Sequence, residues 1–394
     1  MTLSLQHGME PVRTTEDVAR GRFVSGLRSF ILNDLAADMR SAYDRRAAPA
    51  FQRSSGRMPD TSAEAHAAMR GDPAFKVYSA CRVQAQTMVW DAVTPIVQRE
   101  QTALEAAATA TGLLDRVTLD PDMPIPRNVD AIDVHLMPGS YTRGADYSIA
   151  KGAIYDQGLA IFSMGLMGAN LDDIGLSMAS YIRNAFPDFR PGRILDVGCT
   201  IGHNTLPWKH AYPDAEVHAI DAAGSGLLYG AARAHMQGAD VRFHQMNAEA
   251  IAFPDASFDL IFTSMFLHEL SKKTRAAFFR EAHRLLRPGG LLLNMELPPN
   301  SQMGAFDGFY LDWDCYYNNE PFYKGYRDEE PRDLCRAAGF DESDYLQFVV
   351  PSIGIYGDEA VETAARADVH DVGQETTGRL AEGVQWFGYG AWKR

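Results

Sequence analysis

The sequence predicts an α/β fold, in which a mostly parallel sheet carries helices on both faces and a helical region precedes it. From residue 193 onward, apolar segments of strand length alternate with runs of helical length, which is the pattern of a parallel sheet with crossover helices. Before about residue 112, apolar side chains recur at helical spacing, as at Val24, Leu27 and Ile31. The two parts of the chain therefore follow different periodicities.

The segments predicted as strands and helices can be placed in chain order. An amphipathic helix is expected at 171–186, and helices near 203–212, 224–237 and 272–286 should separate the strands. The prolines of 115–128 predict an extended linker, 131–137 a short strand, and 141–155 a loop. The predicted strands of the sheet are 193–197, 216–220, 241–245, 258–264, 290–296, 345–350 and 384–392.

The composition is that of a globular protein with an acidic balance of charge. The chain has 394 residues, of which 46% are hydrophobic and 22% are charged, and its net charge is −14 at pH 7. Lys and Arg supply most of the non-specific affinity for nucleic acid, so neither DNA nor RNA is an expected partner. A small-molecule substrate is expected instead. The sequence leaves open whether the N-terminal helices form a homodimer.

Cysteine usage and the N-terminal residues both favour the cytoplasm. The four cysteines are widely spaced and form no C-x-x-C pair, which argues against a zinc site or a disulfide framework, and no metal is predicted. Residues 1–13 lack the apolar core of a secretory signal, and no run is long and apolar enough to span a bilayer. A cytoplasmic location without a membrane partner is therefore expected.

A glycine turn follows the strand predicted at 193–197. Asp196 precedes Gly198, and Gly202 follows four residues later, so the turn reads D-x-G-x-x-x-G. Glycines let a backbone approach a ligand closely, and the helix behind the turn offers free N–H groups. A dinucleotide-binding turn reads G-x-G-x-x-G, so a nicotinamide-dependent oxidoreductase is disfavoured. The leading acid suits a cationic ligand. The alternative is a turn that only connects strand to helix.

An acid also ends the second strand of the sheet. Asp221 closes the strand 216–220, about one strand-helix-strand unit after the glycine turn. In nucleotide-binding sheets an acid at this position accepts hydrogen bonds from both ribose hydroxyls. The alternative is a surface aspartate that starts a turn.

Two further segments lie behind the third and fourth strands. Asn247 and Ala248 follow the strand 241–245, where the Asn247 oxygen can accept a hydrogen bond from an adenine amino group or form an Asx turn. The strand 258–264 ends at Ser264. The helix after it stops at Arg287-Pro288-Gly289-Gly290, a turn that reverses the chain into the next strand.

These four motifs, in this order, resemble those of class I S-adenosylmethionine (SAM)-dependent methyltransferases of the ubiquinone-biosynthesis-like branch. The F-D-L-I strand with its R-P-G-G turn is the most specific part, and the resemblance covers about residues 155–350. It implies a Rossmann-like, seven-stranded sheet with an antiparallel C-terminal edge strand. It also implies SAM as cofactor and S-adenosylhomocysteine as product. The chain departs from the family at Thr200, where a glycine is usual, and at Asn247, where an aspartate is usual.

The resemblance also implies which residues hold the cofactor. The glycine turn would wrap the amino-acid end of SAM, Asp221 would bind the ribose, and Asn247 would bind the adenine. Ser264, at the end of its strand, and Tyr155, in the segment before the sheet, are placed beside them. The cofactor-binding residues implied in this way are Asp196, Gly198, Thr200, Gly202, Asp221, Asn247, Ala248, Ser264 and Tyr155.

Two histidines are candidate bases for methyl transfer. Methyl transfer from a sulfonium requires alignment of the acceptor and, for some acceptors, removal of a proton. His268 lies just beyond the strand 258–264, near the expected position of the methyl group, and is the first candidate; His135, in the predicted strand 131–137, is the second. The alternative for each is a structural histidine that packs or caps.

An aromatic stripe with interleaved acids follows the fifth strand of the sheet. Tyr310, Trp313 and Tyr317 recur with Phe306 at helical spacing, and acids such as Asp314 lie between them. Aromatic faces beside carboxylates suit a cationic ligand, such as an amine or the onium product of an amine or thioether. The alternative is a stripe that packs a lid helix onto the core. The predicted substrate-binding residues are Tyr141, Tyr147, Glu296, Tyr310, Trp313 and Tyr317.

The sequence therefore predicts a SAM-dependent methyltransferase that acts on a small molecule. The alternative is a SAM-binding sensor or scaffold without catalytic activity, which would keep Asp221 and the glycine turn. Three regions are expected: a helical cap or dimerisation region at 1–130, a linker that covers the pocket at 131–170, and the methyltransferase domain at 171–394, with a lid insertion at about 297–330.

Overall fold

A mixed sheet of eight strands lies at the centre of the computed structural model, which describes residues 7–112, 115–142, 148–367 and 383–394. The order across the sheet is β1-β4-β3-β2-β5-β6-β8-β7, and only β8 runs antiparallel to its neighbours. This arrangement confirms the predicted α/β class. The strands are β1 Val117–Thr118, β2 Arg193–Val197, β3 Glu216–Asp221, β4 Val241–Gln245, β5 Phe258–Ser264, β6 Leu286–Glu296, β7 Tyr345–Pro351 and β8 Gln385–Trp392.

Two details of the predicted sheet were wrong. The sheet has an eighth strand, because two residues of the predicted linker pair parallel with β4, with Val117 opposite Phe243. A strand of two residues has no periodicity of its own, so its pairing depends on the neighbouring edge. The C-terminal strand is also not at the edge, because β7 pairs with the outer side of β8.

The R-P-G-G turn lies inside a β-bulge at the start of β6. The preceding helix ends at Leu285, and the pairing register with β5 shifts between Phe258 and Leu260. Gly289 has φ of +81°, in the left-handed region that favours glycine. A bulge also accommodates a proline, which cannot donate to a sheet hydrogen bond. The strand predicted at 290–296 therefore begins four residues earlier, at Leu286.

Helices form the N-terminal region and cover the sheet. Two π-helical turns, Ile31–Leu35 and Tyr43–Ala47, join the first three into one continuous run, and the fifth has 37 residues. The helices are α1 Thr15–Phe30, α2 Ala36–Ala42, α3 Ala48–Ser55, α4 Ser62–Met69, α5 Pro73–Thr109, α6 Arg127–Asp130, α7 Ala150–Phe162, α8 Asp173–Ala185, α9 Leu206–Ala211, α10 Gly224–Met236, α11 Lys272–Leu285, α12 Ala305–Tyr317, α13 Tyr323–Arg327, α14 Pro331–Ala337, α15 Ile353–Tyr356 and α16 Asp358–Arg366.

The three larger apolar cores of the described residues hold these layers together. One joins α5, α7, α8 and α10 to one face of the sheet, and a second joins α11 and α14 to the other face. The third lies between the N-terminal helices and α12, where residues of the predicted lid insertion pack against α4 and α5. The N-terminal helices thus have two points of attachment to the sheet domain. The division at 1–130, 131–170 and 171–394 stays a prediction.

Two local predictions between α6 and α8 were also wrong. Residues 131–137 are not a strand, because Val134–Leu136 is a 3₁₀ turn in which His135 and Leu136 have φ of 57° and 55°. A β-strand requires negative φ. The segment 141–155 is not wholly a loop, because Tyr155 lies within α7. Within the described residues, the structure contains no helix of the length and apolar character that a membrane span requires.

Candidate active site

The glycine turn is shaped by contacts that exclude side chains. Gly198 and Gly202 have φ of +78° and +72°. A Cβ atom at Gly198 would overlap the ring of Phe266, and one at Gly202 would lie 2.9 Å from the ring of Phe243. The turn between β2 and α9 therefore needs glycine at both positions.

Thr200 occupies the position where the family usually has glycine. Its φ is 48°, in the left-handed region that a residue with a side chain rarely adopts. The Thr200 N–H donates to Oδ2 of Asp221 at 2.9 Å, which compensates for this conformation. The departure at Thr200 is thus tied directly to the acid at the end of β3.

Asp221 lies at the carboxyl end of β3 and lines the cavity described below. Its Oδ1 accepts a hydrogen bond from the N–H of Ala223 at 2.9 Å, and its Oδ2 accepts the Thr200 bond. Burial raises the pKa of Asp221, while these two backbone donors lower it in part. Each carboxylate oxygen has a second lone pair, so the orientation suits a ligand with two adjacent hydroxyls.

Asp196 is buried beneath the turn. Its Oδ2 accepts a hydrogen bond from the hydroxyl of Thr205, and it also contributes to the cavity wall. Burial raises the pKa of Asp196 to about 7, and the negative charge of Asp221 acts in the same direction. A cation beside these two carboxylates would favour their ionised forms.

The remaining predicted cofactor residues fall into two groups. Ser264 and Tyr155 line the cavity; Asn204 donates to the Ser264 hydroxyl at 3.1 Å, and the Tyr155 hydroxyl lies within hydrogen-bonding range of Thr200. Asn247 and Ala248 are not among the described residues that line the cavity. The Asn247 oxygen accepts from the N–H of Glu249 at 2.9 Å, which is the Asx turn considered from the sequence.

One cavity of about 650 Å³ extends from this turn to the N-terminal helices. Its wall includes residues from the ends of β2, β3 and β5, from the turn at His135, and from α1, α5, α7 and α12. The volume is in the range of small-molecule sites. Elements from all three predicted regions of the chain therefore enclose the same space.

A cluster of two histidines and three glutamates lies at the wall of this cavity; we call it the His/Glu cluster. His268 and Glu269 follow β5, Glu296 ends β6, Glu320 follows α12, and His135 comes from the 3₁₀ turn. His268 Nδ1 lies 2.7 Å from Glu296 Oε2, and its Nε2 lies 3.7 Å from Glu320 Oε2. Segments far apart in sequence thus meet at one point.

His135 bridges Glu269 and Glu320, the second of which also faces His268. Its Nε2 lies 3.2 Å from Glu269 Oε1, and its Nδ1 lies 3.1 Å from Glu320 Oε1. The backbone of His135 is left-handed, and its Nδ1 also lies 2.7 Å from the side-chain amide of Asn318, just after α12. In both histidines, each ring nitrogen therefore faces a carboxylate.

The carboxylates govern the protonation of both rings. Burial alone lowers the pKa of His268, but the charge and hydrogen bond of Glu296 outweigh it and raise the pKa to about 9. Burial also opposes the charge on His135, and Glu320 with Glu269 raises its pKa to about 10. Both imidazoles are thus protonated at neutral pH. They act there as donors that hold the carboxylates in place.

Some predicted substrate residues line the cavity and others do not. Tyr141 and Tyr310 line it, and the Tyr141 hydroxyl donates to Glu269 at 3.5 Å. Glu296 is fully buried beside His268, where its Oε1 accepts from two backbone N–H groups, and it is not among the described residues of the cavity wall. Tyr147 lies outside the described residues.

The structure places the predicted substrate residues Trp313 and Tyr317 against the N-terminal helices. The ring of Trp313 stacks on His66 of α4 at 3.7 Å, and Tyr317 lies beside Phe75 of α5 at 6.3 Å. Neither residue is among the described residues of the cavity wall. The packing alternative for the aromatic stripe therefore holds at these two positions, because the N-terminal helices cover that side of α12.

Sequence reasoning missed the polar residues that the N-terminal helices contribute to the cavity. Arg28 of α1 and Arg82 of α5 are 2% and 1% exposed and line the wall. Arg82 donates to both oxygens of Asp314, at 2.6 and 3.2 Å. The sequence does contain an indication that Arg28 is buried, because Arg28 falls four residues after Val24 and so lies on the apolar face of its helix. Within the described residues, no group of three or more His, Cys, Asp or Glu is arranged to hold a metal ion.

Comparison with known proteins gives matches to the sheet domain. Residues 194–290 match the family model described as "Methyltransferase domain". A demethylmenaquinone methyltransferase of Thermus thermophilus is 35% identical over 120 residues, which are 30% of this chain and 53% of that protein. A malonyl-[acyl-carrier protein] O-methyltransferase of Methylococcus capsulatus is 37% identical over 121 residues, which are 30% of this chain and 42% of that protein.

The chain thus spans about half the length of the curated relatives that it matches. Among solved structures, a phosphoethanolamine N-methyltransferase 2 of Haemonchus contortus in complex with SAM is similar, with 17% identity and a TM-score of 0.40. The match covers 64% of this chain and 60% of that chain.

Proposed function

We propose that this chain, whose residues 194–290 match a methyltransferase domain, transfers a methyl group from SAM to a small molecule. One observation carries the proposal. The glycine turn and Asp221 open into the same 650 Å³ cavity as the His/Glu cluster. A cofactor on the turn and an acceptor beside the cluster would therefore share one enclosed space, as an in-line displacement requires.

In this proposal, the cofactor lies along the carboxyl ends of β2, β3 and β5. Asp196 faces the ammonium of SAM and Asp221 binds its ribose hydroxyls, on a turn whose backbone shape depends on Gly198 and Gly202. Thr200, Ser264 and Tyr155 complete this part of the wall. Asn247 and Ala248, which follow β4, remain the proposed contacts of the adenine.

The methyl acceptor that we propose is an amine or a thioether, which gives a cationic product. Three carboxylates outnumber two imidazolium rings in the His/Glu cluster, so the cluster suits positive charge. Tyr141 and Tyr155 add aromatic rings 5.7 Å apart on the same wall. A sulfonium donor and an onium product would both be stabilised there.

The roles of the two histidines depend on pH. A histidine accepts a proton only in its neutral form, and the raised pKa values keep both rings charged at neutral pH. At neutral pH, the proposed proton acceptor for an ammonium substrate is the Glu269 carboxylate, which His135 holds in place. His268 and His135 remain candidate bases above about pH 9 and 10, respectively.

Two measurements test this function. Calorimetric titration of the purified chain should show binding of SAM. Incubation with SAM carrying a labelled methyl group and a metabolite extract should then give a small molecule with the corresponding mass shift. Binding without any methylated product would favour the SAM-binding sensor, and absence of binding would contradict both functions. The homodimer and the cytoplasmic location stay predictions.

A further inference from the structure

Arg28 of α1 is a buried cation with neutral partners. The side chain is 2% exposed. Its Nε donates to the carbonyl oxygen of Phe162 at 3.1 Å, and its Nη1 donates to the side-chain oxygen of Gln86 at 2.6 Å. The Phe162 ring lies under the guanidinium, 4.2 Å from its carbon. No carboxylate of the described residues forms an ion pair with Arg28, although a buried guanidinium normally has one.

The carboxylate on this side of the cavity is already used. Asp314 accepts two hydrogen bonds from Arg82 and one from the hydroxyl of Tyr78. The charge of Asp314 therefore acts on both guanidinium groups, but Asp314 forms its ion pair with Arg82. Burial and the charge of Arg82 lower the pKa of Arg28 to about 9, and Asp314 compensates only in part, so Arg28 remains charged at neutral pH.

The free side of this guanidinium is directed at the cavity. Arg28 lines the cavity wall, and its Nη2 has no hydrogen-bond partner among the described residues. Phe162 lies between Arg28 and the His/Glu cluster, with its ring 6.3 Å from that of His135. The cavity thus has a positive end and a negative end, separated by about one phenyl ring.

We propose that Arg28 binds an oxyanion of the substrate, a carboxylate or a phosphate group, at the end of the cavity away from the methyl donor. The proposal rests on the proposed function, because it takes the His/Glu cluster as the place of the methyl acceptor. It narrows the substrate class to a small molecule with an anionic group at one end and the acceptor atom at the other. The planar guanidinium fork matches the geometry of either oxyanion.

Thermal unfolding of the full chain with inorganic phosphate or with acetate, at constant ionic strength, tests this site. At least one anion should raise the Tm of the wild type, because a ligand that binds only the folded state stabilises it. Arg28→Gln should need about tenfold more anion, or higher, for the same shift, since bonds to charged groups contribute strongly. Comparison of the two anions shows which oxyanion the site prefers.

A matched control and a second variant keep the result interpretable. Arg20→Gln removes an arginine of the same helix that pairs with Glu16 at the surface, and it should respond as the wild type does. If Arg28→Gln does not fold, Arg28→Lys retains the charge without the planar fork and should still show a weakened response. An equal response in the Arg28 variant and the wild type, or no response to either anion, would overturn the inference.

A parallel titration with SAM separates this inference from the proposed function. SAM should bind wild type and Arg28→Gln equally, because the contacts of Arg28 are with Phe162 and Gln86 and not with the glycine turn. If SAM binds but the anion-induced rise in Tm does not depend on Arg28, the oxyanion site is contradicted and the proposed function is not. An Arg28-dependent response in a chain that does not bind SAM leaves an anion site but defeats its assignment to the substrate of a methyltransferase.

Discussion

The cofactor end of the cavity and its helical end are built from different kinds of chain segment. At the cofactor end, side chains come from the ends of adjacent parallel strands, so Asp196, Asp221 and Ser264 are placed by the order of the sheet. At the helical end, Arg28 and Arg82 come from two helices that meet only after the chain has folded. Short sequence motifs therefore predict the cofactor end, whereas the helical end depends on tertiary packing.

The electrostatics of the two ends differ as well. Carboxylates outnumber cations in the His/Glu cluster, whereas guanidinium groups outnumber carboxylates around Asp314. A substrate that bridges the two ends would be oriented by both. A cavity with opposite charges at its two ends can therefore orient a small substrate that itself carries opposite charges at its two ends.

The largest expected effect is at Asp221. Asp221→Ala should weaken SAM binding by about a hundredfold, roughly 3 kcal/mol, because two hydrogen bonds to a carboxylate are lost. It also removes the acceptor of the Thr200 N–H. Calorimetric titration measures the change, with the exposed Asp240→Ala as control. Unchanged affinity in Asp221→Ala would refute the ribose assignment at the cofactor end.

The His/Glu cluster should make folding stability depend on pH. The pKa of His268 is raised from 6.5 to about 9 in the folded chain, so its contribution is complete below about pH 6.5 and is lost as pH rises through 9. The loss should be at most roughly 3 kcal/mol. Urea unfolding at pH 6.5 and 10 should show a smaller change in His268→Gln than in the wild type. The exposed His235→Gln should match the wild type; equal changes in all three proteins would remove His268 from this role.

Two glycines offer a matched test of the turn. Gly198 and Gly238 both have positive φ, but a Cβ atom meets Phe266 only at Gly198 and finds open space at Gly238. Gly238→Ala should cost about 1 kcal/mol of folding stability, and Gly198→Ala about 2 kcal/mol more. Chemical denaturation measures both. Equal costs would mean that the turn tolerates a side chain and that its shape does not depend on Phe266.

The smallest expected effect concerns the aromatic stripe. Trp313→Leu removes a stacked ring that joins α12 to α4, and it should lower folding stability by about 1 kcal/mol. SAM binding should not change, because Trp313 lies outside the cavity wall. Thermal unfolding and calorimetry on the same preparation check both statements. A large loss of substrate binding with unaltered stability would restore the direct role predicted from the sequence.

Most of the sheet was predictable because its strands are buried and separated by helices of regular length. The bounds of β2, β4 and β5 agree with the prediction, and β7 and β8 agree within one residue. The strand β1 was missed because its two residues gain their conformation by pairing with β4. The prediction of a strand at 131–137 was wrong because the apolar pattern there gives no indication of the left-handed backbone at His135.

The predicted site was clearest where it depended on strand ends. Asp221 and the glycine turn line the cavity, whereas the contacts of Trp313 with α4 and of Asn247 with its own turn could not be resolved from spacing alone. The two carboxylates that contact His268, Glu296 and Glu320, lie on two other segments, so the raised pKa of His268 was not visible in the sequence. A charged residue that tertiary packing buries, such as Arg28, is visible in the sequence only as a polar residue on the apolar face of a helix.

The central claim is that cofactor and acceptor meet in the shared cavity, and turnover with methyl-labelled SAM tests it most directly. Wild-type protein, Asp221→Ala and Asp240→Ala would each be incubated with labelled SAM and a metabolite extract, and mass spectrometry would detect the products. We expect a labelled small molecule with the wild type and with Asp240→Ala, and strongly reduced labelling with Asp221→Ala. Wild-type protein that binds SAM but labels no molecule would contradict the account.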